Sequence, residues 1–185
     1  MTGDLAEIVI RDERPGDELA IREVTIAAFS ESDFGHHGEA DLVDSLRCSP
    51  STLSLVACTN ERIVGHILFT PVVLRTEDGT LRGMGLAPMS VTPRWQGQGI
   101  GTSLVRHGIQ RLESEDCHFV VVLGHADYYP RLGFVPAKQF NVEHGFEGIP
   151  QEVFFMQCLS RDKFEHVSGG LAYYQSEFGP QHTGR

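Results

Sequence analysis

Gln96-Gly97-Gln98-Gly99-Ile100-Gly101 is the stretch on which the reading of this chain turns. Before it, the apolar segment ending in Met89-Ser90-Val91 has strand character and is broken by Thr92-Pro93. After it, Ile100, Leu104, Val105, Ile109 and Leu112 recur at helical spacing to about Glu115. A glycine turn between strand and helix brings backbone N–H groups together at the helix N-terminus, where the macrodipole also favours negative charge. Glycine suits the task because each N–H must point inward through unusual backbone angles, and a Cβ would obstruct a phosphate.

The flanks place the turn in a fold. Ile8 to Arg11 alternates like a short strand, Arg14-Pro15-Gly16-Asp17 turns the chain, and Asp17 is placed to cap a following helix. Ala20, Val24, Ala27 and Ala28 form one helical stripe; Leu42, Val43 and Leu46 form a second after Gly38-Glu39. Leu53 to Cys58 and Ile63 to Leu74, separated by Thr59-Asn60-Glu61-Arg62, predict an antiparallel hairpin. Asp78-Gly79 then turns into Gly83 to Val91 to complete a meander. Phe119-Val120-Val121-Val122-Leu123 is continuously apolar, as a strand buried on both faces must be, and should lie parallel to Gly83–Val91 through a right-handed crossover. Tyr128 to Leu132 predicts a short helix, with strands near Phe134-Val135 and Val153 to Leu159. Leu171, Tyr173, Tyr174 and Phe178 make the tail too apolar to stay free, so it is expected to dock. The expectation is one mixed α/β (α+β) domain spanning 1–185, with its core at about 8–160.

Bulk properties narrow the function. The chain has 185 residues, 41% hydrophobic and 22% charged, close to globular averages, and no apolar run approaches the roughly 20 residues that span a bilayer. A formal net charge of -10 argues against nucleic acid and anionic membrane surfaces as partners and leans toward a cationic small substrate. Asp4 and Glu7 stand where a secretory signal would be basic and apolar, so the cytoplasm is the expected location. Cys48, Cys58, Cys117 and Cys158 are scattered without metal-ligand spacing, and His36-His37-Gly38-Glu39 matches no metal pattern; no metal is expected.

Three ligand classes compete for the glycine turn. A nucleoside triphosphate loop needs a lysine before its final Ser or Thr, and Gly101-Thr102 has none between them. A dinucleotide fingerprint starting at Gly97 needs glycine at position 102, where Thr102 stands, and should follow the first strand of the fold. What remains is Q/R-x-x-G-x-G/A, matched by Gln96, Gly99 and Gly101. In this block the chain resembles the GCN5-related N-acetyltransferase (GNAT) family. Tyr128-Tyr129-Pro130-Arg131-Leu132-Gly133-Phe134 resembles a second element of that family, Y-x-x-x-G-F. With Gly65-His66-Ile67-Leu68-Phe69 and the Tyr173 to Phe178 tail, it is similar to the bacterial YhbS-like subgroup, from about Ile8 to Phe178. Trp95 departs from the small or basic residue usual there, which bears on adenine-side contacts.

The resemblance implies an antiparallel meander followed by a parallel βαβ unit with a splayed central strand pair. It implies acetyl-CoA as cosubstrate, its pantetheine on Met89, Ser90 and Val91 and its pyrophosphate on Gln96, Gly97, Gln98, Gly99, Ile100, Gly101 and Thr102. It also implies Tyr129 as general acid toward the leaving thiolate, Tyr128 being the core residue of the pair, and a homodimer by family habit. The base is open: Glu39, His66, His125 and Asp127 are candidates by type and region. Glu39 is also a candidate for an acceptor pocket between the first two helices. The implied reaction transfers acetyl to an amine; the alternatives are a longer acyl donor and a noncatalytic acyl-CoA-binding protein.

Overall fold

In the computed structural model of the chain, residues 7–30, 38–60, 62–115, 117–164, 167 and 169–181 are described. The elements run β1 (Val9–Asp12), α1 (Glu18–Phe29), α2 (Glu39–Leu46), β2 (Leu53–Thr59), β3 (Arg62–Thr76), β4 (Gly79–Val91), α3 (Ile100–Glu113) and β5 (Phe119–Leu123). They continue through β6 (Val135–Pro136), β7 (Val142–His144), β8 (Phe154–Cys158) and β9 (Gly170–Tyr173). Among the described residues the strands form one nine-stranded mixed sheet in the order β1-β2-β3-β4-β5-β8-β6, with β9 paired to β3 and β7 to β9. The chain packs as two compact units, Met1–Leu68 with Pro88–Gly108 and Phe69–Ala87 with Ile109–Arg185, so β3, β4 and α3 each pass from one into the other.

In the first unit β1 runs antiparallel to β2, from Val9 opposite Cys58 to Asp12 opposite Leu55. Ile21, Val43, Val56 and Cys58 form a buried cluster under Ile63, each large aliphatic contributing about 1.5–3 kcal/mol by its removal from water. The buried face of α1 is Ile21, Val24 and Thr25, not the alanine stripe expected from spacing. The helix presents its larger Ile21 to the core, leaving Ala20, Ala27 and Ala28 at the margin. On α2 the buried residues are Ala40, Val43 and Leu46, while Leu42 is only half-buried. Asp17 does occupy the cap position of α1, but its carboxylate bonds no helix N–H. It accepts from the Arg11 guanidinium at 2.6 and 3.0 Å and from the Arg14 N–H at 2.8 Å. Those contacts, led by Arg11, hold its pKa below the ordinary carboxylate value.

In the second unit β5 is the central strand. Phe119, Val120, Val121 and Val122 are completely buried, which explains the continuous apolar run. On one side β5 pairs antiparallel with β8 from Phe119–Cys158 to Leu123–Phe154. On the other it runs parallel to β4, as expected, but only through Met84–Val120 and Gly85–Val121. That short ladder is the splayed central pair. The tail docks, as its apolar residues require: β9 pairs with β3 from Val73–Tyr173 to Arg75–Leu171. The Gln181 amide also clamps the backbone of Tyr174, accepting from its N–H at 2.9 Å and donating to its C=O at 3.1 Å. Strands β7 and β9 escape sequence reading because three and four residues are too few to show a period.

Candidate functional site: a phosphate cradle and a buried tyrosine

The end of β4 is pinned before the glycine turn begins. The Thr92 N–H and hydroxyl both donate to the Val64 carbonyl, at 2.9 and 3.1 Å. Pro93–Trp95 then forms a 3-10 turn closed by Trp95 N–H to the Thr92 carbonyl at 2.8 Å. Gln96 turns its side chain back, its amide donating to the Val91 carbonyl at 2.9 Å, and Gln98 does the same to Arg94 at 3.0 Å. The glutamines are therefore struts of the loop.

Gly97 and Gly99 have φ of +72° and +83°, angles at which L residues are strained, and a Cβ on either would meet nothing within 4 Å. The first helical bond of α3 is Ser103 N–H to the Gly99 carbonyl. Among the described residues, the backbone N–H groups from Gly97 to Thr102 donate to no protein oxygen. Open donors beside glycines that leave free space, at the positive end of a fourteen-residue helix, are what a pyrophosphate requires. The buried Ile100 anchors the turn: a Cβ on Gly65 of β3 would lie 3.2 Å from both Ile100 and Leu104, so helix and strand are already in close contact.

Ser90, on the strand leading into the turn, is 3% exposed and lies 3.3 Å from the Thr25 hydroxyl of α1. Thr25 had no sequence signal of its own, since one polar residue on a helical stripe looks ordinary. A cleft of about 80 Å³ lies between α1 and α2, lined by Thr25, Ile26, Phe29, Ser30, Glu39 and Ala40. The structure thus places Glu39 at a cleft between α1 and α2. His36 and His37 lie outside the described residues.

His66 is not at a cleft surface. It is fully buried on β3, its Nε2 2.9 Å from the Ser54 hydroxyl. Ser54 gives its only proton to the Glu13 carboxylate, which Arg47 holds at 2.6 Å. The hydroxyl must therefore accept from His66, which fixes the Nε2–H tautomer and leaves Nδ1 buried without a partner among the described residues. Burial, and secondly the charge of Arg47, push its pKa down to about 3.

Tyr129 belongs to the second unit. It opens a 3-10 turn, Tyr129–Leu132, which Gly133 ends at φ +92°, and Phe134 then drops into the core at 1% exposure. The Tyr129 ring meets Phe134 edge-on at 5.6 Å and stacks on Phe155 at 6.5 Å. A Cβ on Gly124 would lie 2.2 Å from that ring, so the glycine after β5 exists to let the tyrosine in. Tyr129 is 7% exposed and Tyr128 only half-buried, the reverse of the expected assignment, because the turn aims the second tyrosine at Phe155. Burial, and secondly Tyr128, raise the phenol's pKa. His125 and Asp127 are exposed. The His125 carbonyl accepts from the N–H groups of Tyr128 and Tyr129, so its clearest part is structural.

A family model described as the Acetyltransferase (GNAT) family matches residues 20–134. The chain belongs to the GNAT family. The matched stretch holds the glycine turn and ends at Phe134, so it includes Tyr129 as well. Among GNAT relatives, the chain is 47% identical over 151 residues to the uncharacterized N-acetyltransferase YjhQ of Escherichia coli K12, covering 78% of this chain and 80% of that protein. It is 32% identical over 160 residues to YhbS of the same organism, covering 85% and 94%. The fold is similar to crystal structures of two GNAT proteins. Escherichia coli YhbS in complex with CoA has a TM-score of 0.83 at 31% identity, covering 96% and 95% of the two chains. A Brucella melitensis acetyltransferase in complex with acetyl-CoA has a TM-score of 0.76 at 32% identity, covering 94% and 99%. No described helix is long and apolar enough to cross a membrane.

Proposed function

We propose that the protein is an N-acetyltransferase moving the acetyl group of acetyl-CoA to a primary amine of a small molecule or a peptide N-terminus. Attack is direct and passes through a tetrahedral intermediate. The observation that carries this reading is the run of backbone N–H groups from Gly97 to Thr102, at the start of α3, that find no acceptor among the described residues. The complexes of YhbS with CoA and of the Brucella protein with acetyl-CoA support the choice of coenzyme. Gln96, Gln98 and Ile100 shape the cradle, Gly97, Gly99, Gly101 and Thr102 present it, and Met89, Ser90 and Val91 offer backbone to pantetheine. A strand N–H there would polarise the thioester carbonyl.

Tyr129 is the general acid. Its burial keeps the phenol protonated at every physiological pH. A phenol's ordinary value of about 10 already exceeds a thiol's reference value of about 8.5 and burial widens the gap, so Tyr129 first stabilises the leaving sulfur by hydrogen bonding and yields its proton as charge builds there. His66 does not serve as base: a fully buried imidazole with a pKa near 3 cannot take a proton from an alkylammonium. Glu39, at the cleft, and the exposed His125 and Asp127 remain the candidates for base.

A second reading, a noncatalytic acyl-CoA-binding protein, draws on the burial of Tyr129. Calorimetry with acetyl-CoA, CoA, NAD and ATP tests the first step. Binding of acetyl-CoA and CoA alone, lost by at least about 100-fold in Gly99→Glu/Gly101→Glu, supports the cradle. No binding of either coenzyme sinks it. Binding without thiol release across a broad amine panel favours the noncatalytic reading.

A further inference from the structure

We propose that the cleft between α1 and α2 selects an ammonium group on a compact apolar body with no carboxylate beside it, and that Thr25 is a specificity-determining residue for it. The inference deepens the acetyltransferase reading and rests on it.

The argument starts from where each hydroxyl proton goes. A serine or threonine has one O–H to donate and two lone pairs to receive. Thr25 gives its proton to the Ile21 carbonyl at 2.9 Å, so in the pair with Ser90 at 3.3 Å it can only accept. Ser30 likewise gives its proton to the Ala27 carbonyl at 3.2 Å. Thr25 and Ser30, both lining the cleft, therefore have only lone pairs left on their hydroxyls, and the Glu39 carboxylate brings acceptor oxygens. The other lining side chains, Ile26, Phe29 and Ala40, are apolar. Arg22, one turn before Thr25 and Ile26 on α1, is held by Asp41 at 2.7 Å and Asp44 at 2.6 Å. The first-turn N–H groups of α2 could meet an anion, but Glu39 and Asp41 already place negative charge there.

Among the described residues, side chains that only accept suit a ligand that only donates. A primary ammonium brings three N–H donors. A carboxylate brings none, and burying it against lone pairs forfeits its hydration without replacement. A free α-amino acid should therefore lose to the amine that has its side chain but lacks its carboxylate.

The test measures acetyl-CoA-dependent thiol release with two matched pairs, isobutylamine against valine and phenethylamine against phenylalanine, in the wild type, Thr25→Val and Thr25→Ser. The amine of each pair should exceed its amino acid by at least about tenfold in kcat/KM, a difference of about 1.4 kcal/mol. Thr25→Val should raise the KM for the amine about fivefold and leave the KM for acetyl-CoA unchanged, and Thr25→Ser should restore the amine KM. Amino acids used as well as the amines, or an unchanged amine KM in Thr25→Val, overturns the inference. So does a lack of turnover of all four compounds while calorimetry still shows acetyl-CoA binding; the cradle would stand. Loss of acetyl-CoA binding by the wild type would instead bring down the acetyltransferase reading itself.

Discussion

Acidification should destabilise this protein through His66. The imidazole is fully buried, donates from Nε2 to Ser54, and has a bare Nδ1. A second proton would make a buried cation with no partner near Arg47, which is why the folded pKa falls to about 3. In the unfolded chain the same group takes its proton near pH 6.5. Between those values the unfolded state binds more protons than the folded state, so stability from this residue is fully present above about pH 6.5 and drains away as pH falls toward 3. Each pH unit in the window costs about 1.4 kcal/mol, or about 2 kcal/mol by pH 5. That is a large share of a typical total of about 5–15 kcal/mol. Urea unfolding at pH 7.5, 6.5 and 5.0, compared between wild type and His66→Gln, isolates the effect because other titrating groups cancel. The gap between the two proteins should change by about 2 kcal/mol in favour of the variant at pH 5. Equal pH slopes would refute the reasoning, as would an NMR titration showing the His66 ring protonated at pH 6 in folded protein.

Other consequences follow from single contacts. Gly124→Ala places a Cβ 2.2 Å from the Tyr129 ring. It should lower kcat with acetyl-CoA affinity kept and reduce stability by about 1–3 kcal/mol, measured by denaturant unfolding. Tyr129→Phe should lower kcat by about 10²-fold or more with an unchanged circular dichroism spectrum, and an unaltered kcat across pH would remove the acid assignment. Tyr174 has a buried hydroxyl with no partner among the described residues, so Tyr174→Phe should raise stability by about 1 kcal/mol, read as an upward shift in Tm. Arg47→Ala leaves the Glu13 carboxylate without its cation, both ion-pair side chains being at most 15% exposed. It should cost about 3 kcal/mol in urea unfolding.

What the sequence determined by itself is what depends on near neighbours along the chain. The glycine turn, its strand and its helix could be placed because Gly97 and Gly99 answer a local backbone demand and Ile100 to Leu112 repeat with the helix. The buried central strand was legible at Phe119 to Leu123 because burial on both faces leaves no polar position. Gly133-Phe134 was legible through its resemblance to the family's Y-x-x-x-G-F element, and the structure supplies the physical reason: Gly133 at φ +92° ends the turn before Phe134 enters the core. Tertiary structure alone decided the rest. His66 reads like any histidine on a strand until Ser54, Glu13 and Arg47 close over it from other elements. Which of Tyr128 and Tyr129 turns inward depends on the space left by Gly124 and on Phe155 across β8. The polarity of the cleft depends on where Thr25 and Ser30 send their protons. Desolvation and hydrogen-bond direction are set by atoms brought together from distant parts of the chain, and no local pattern of residues encodes them.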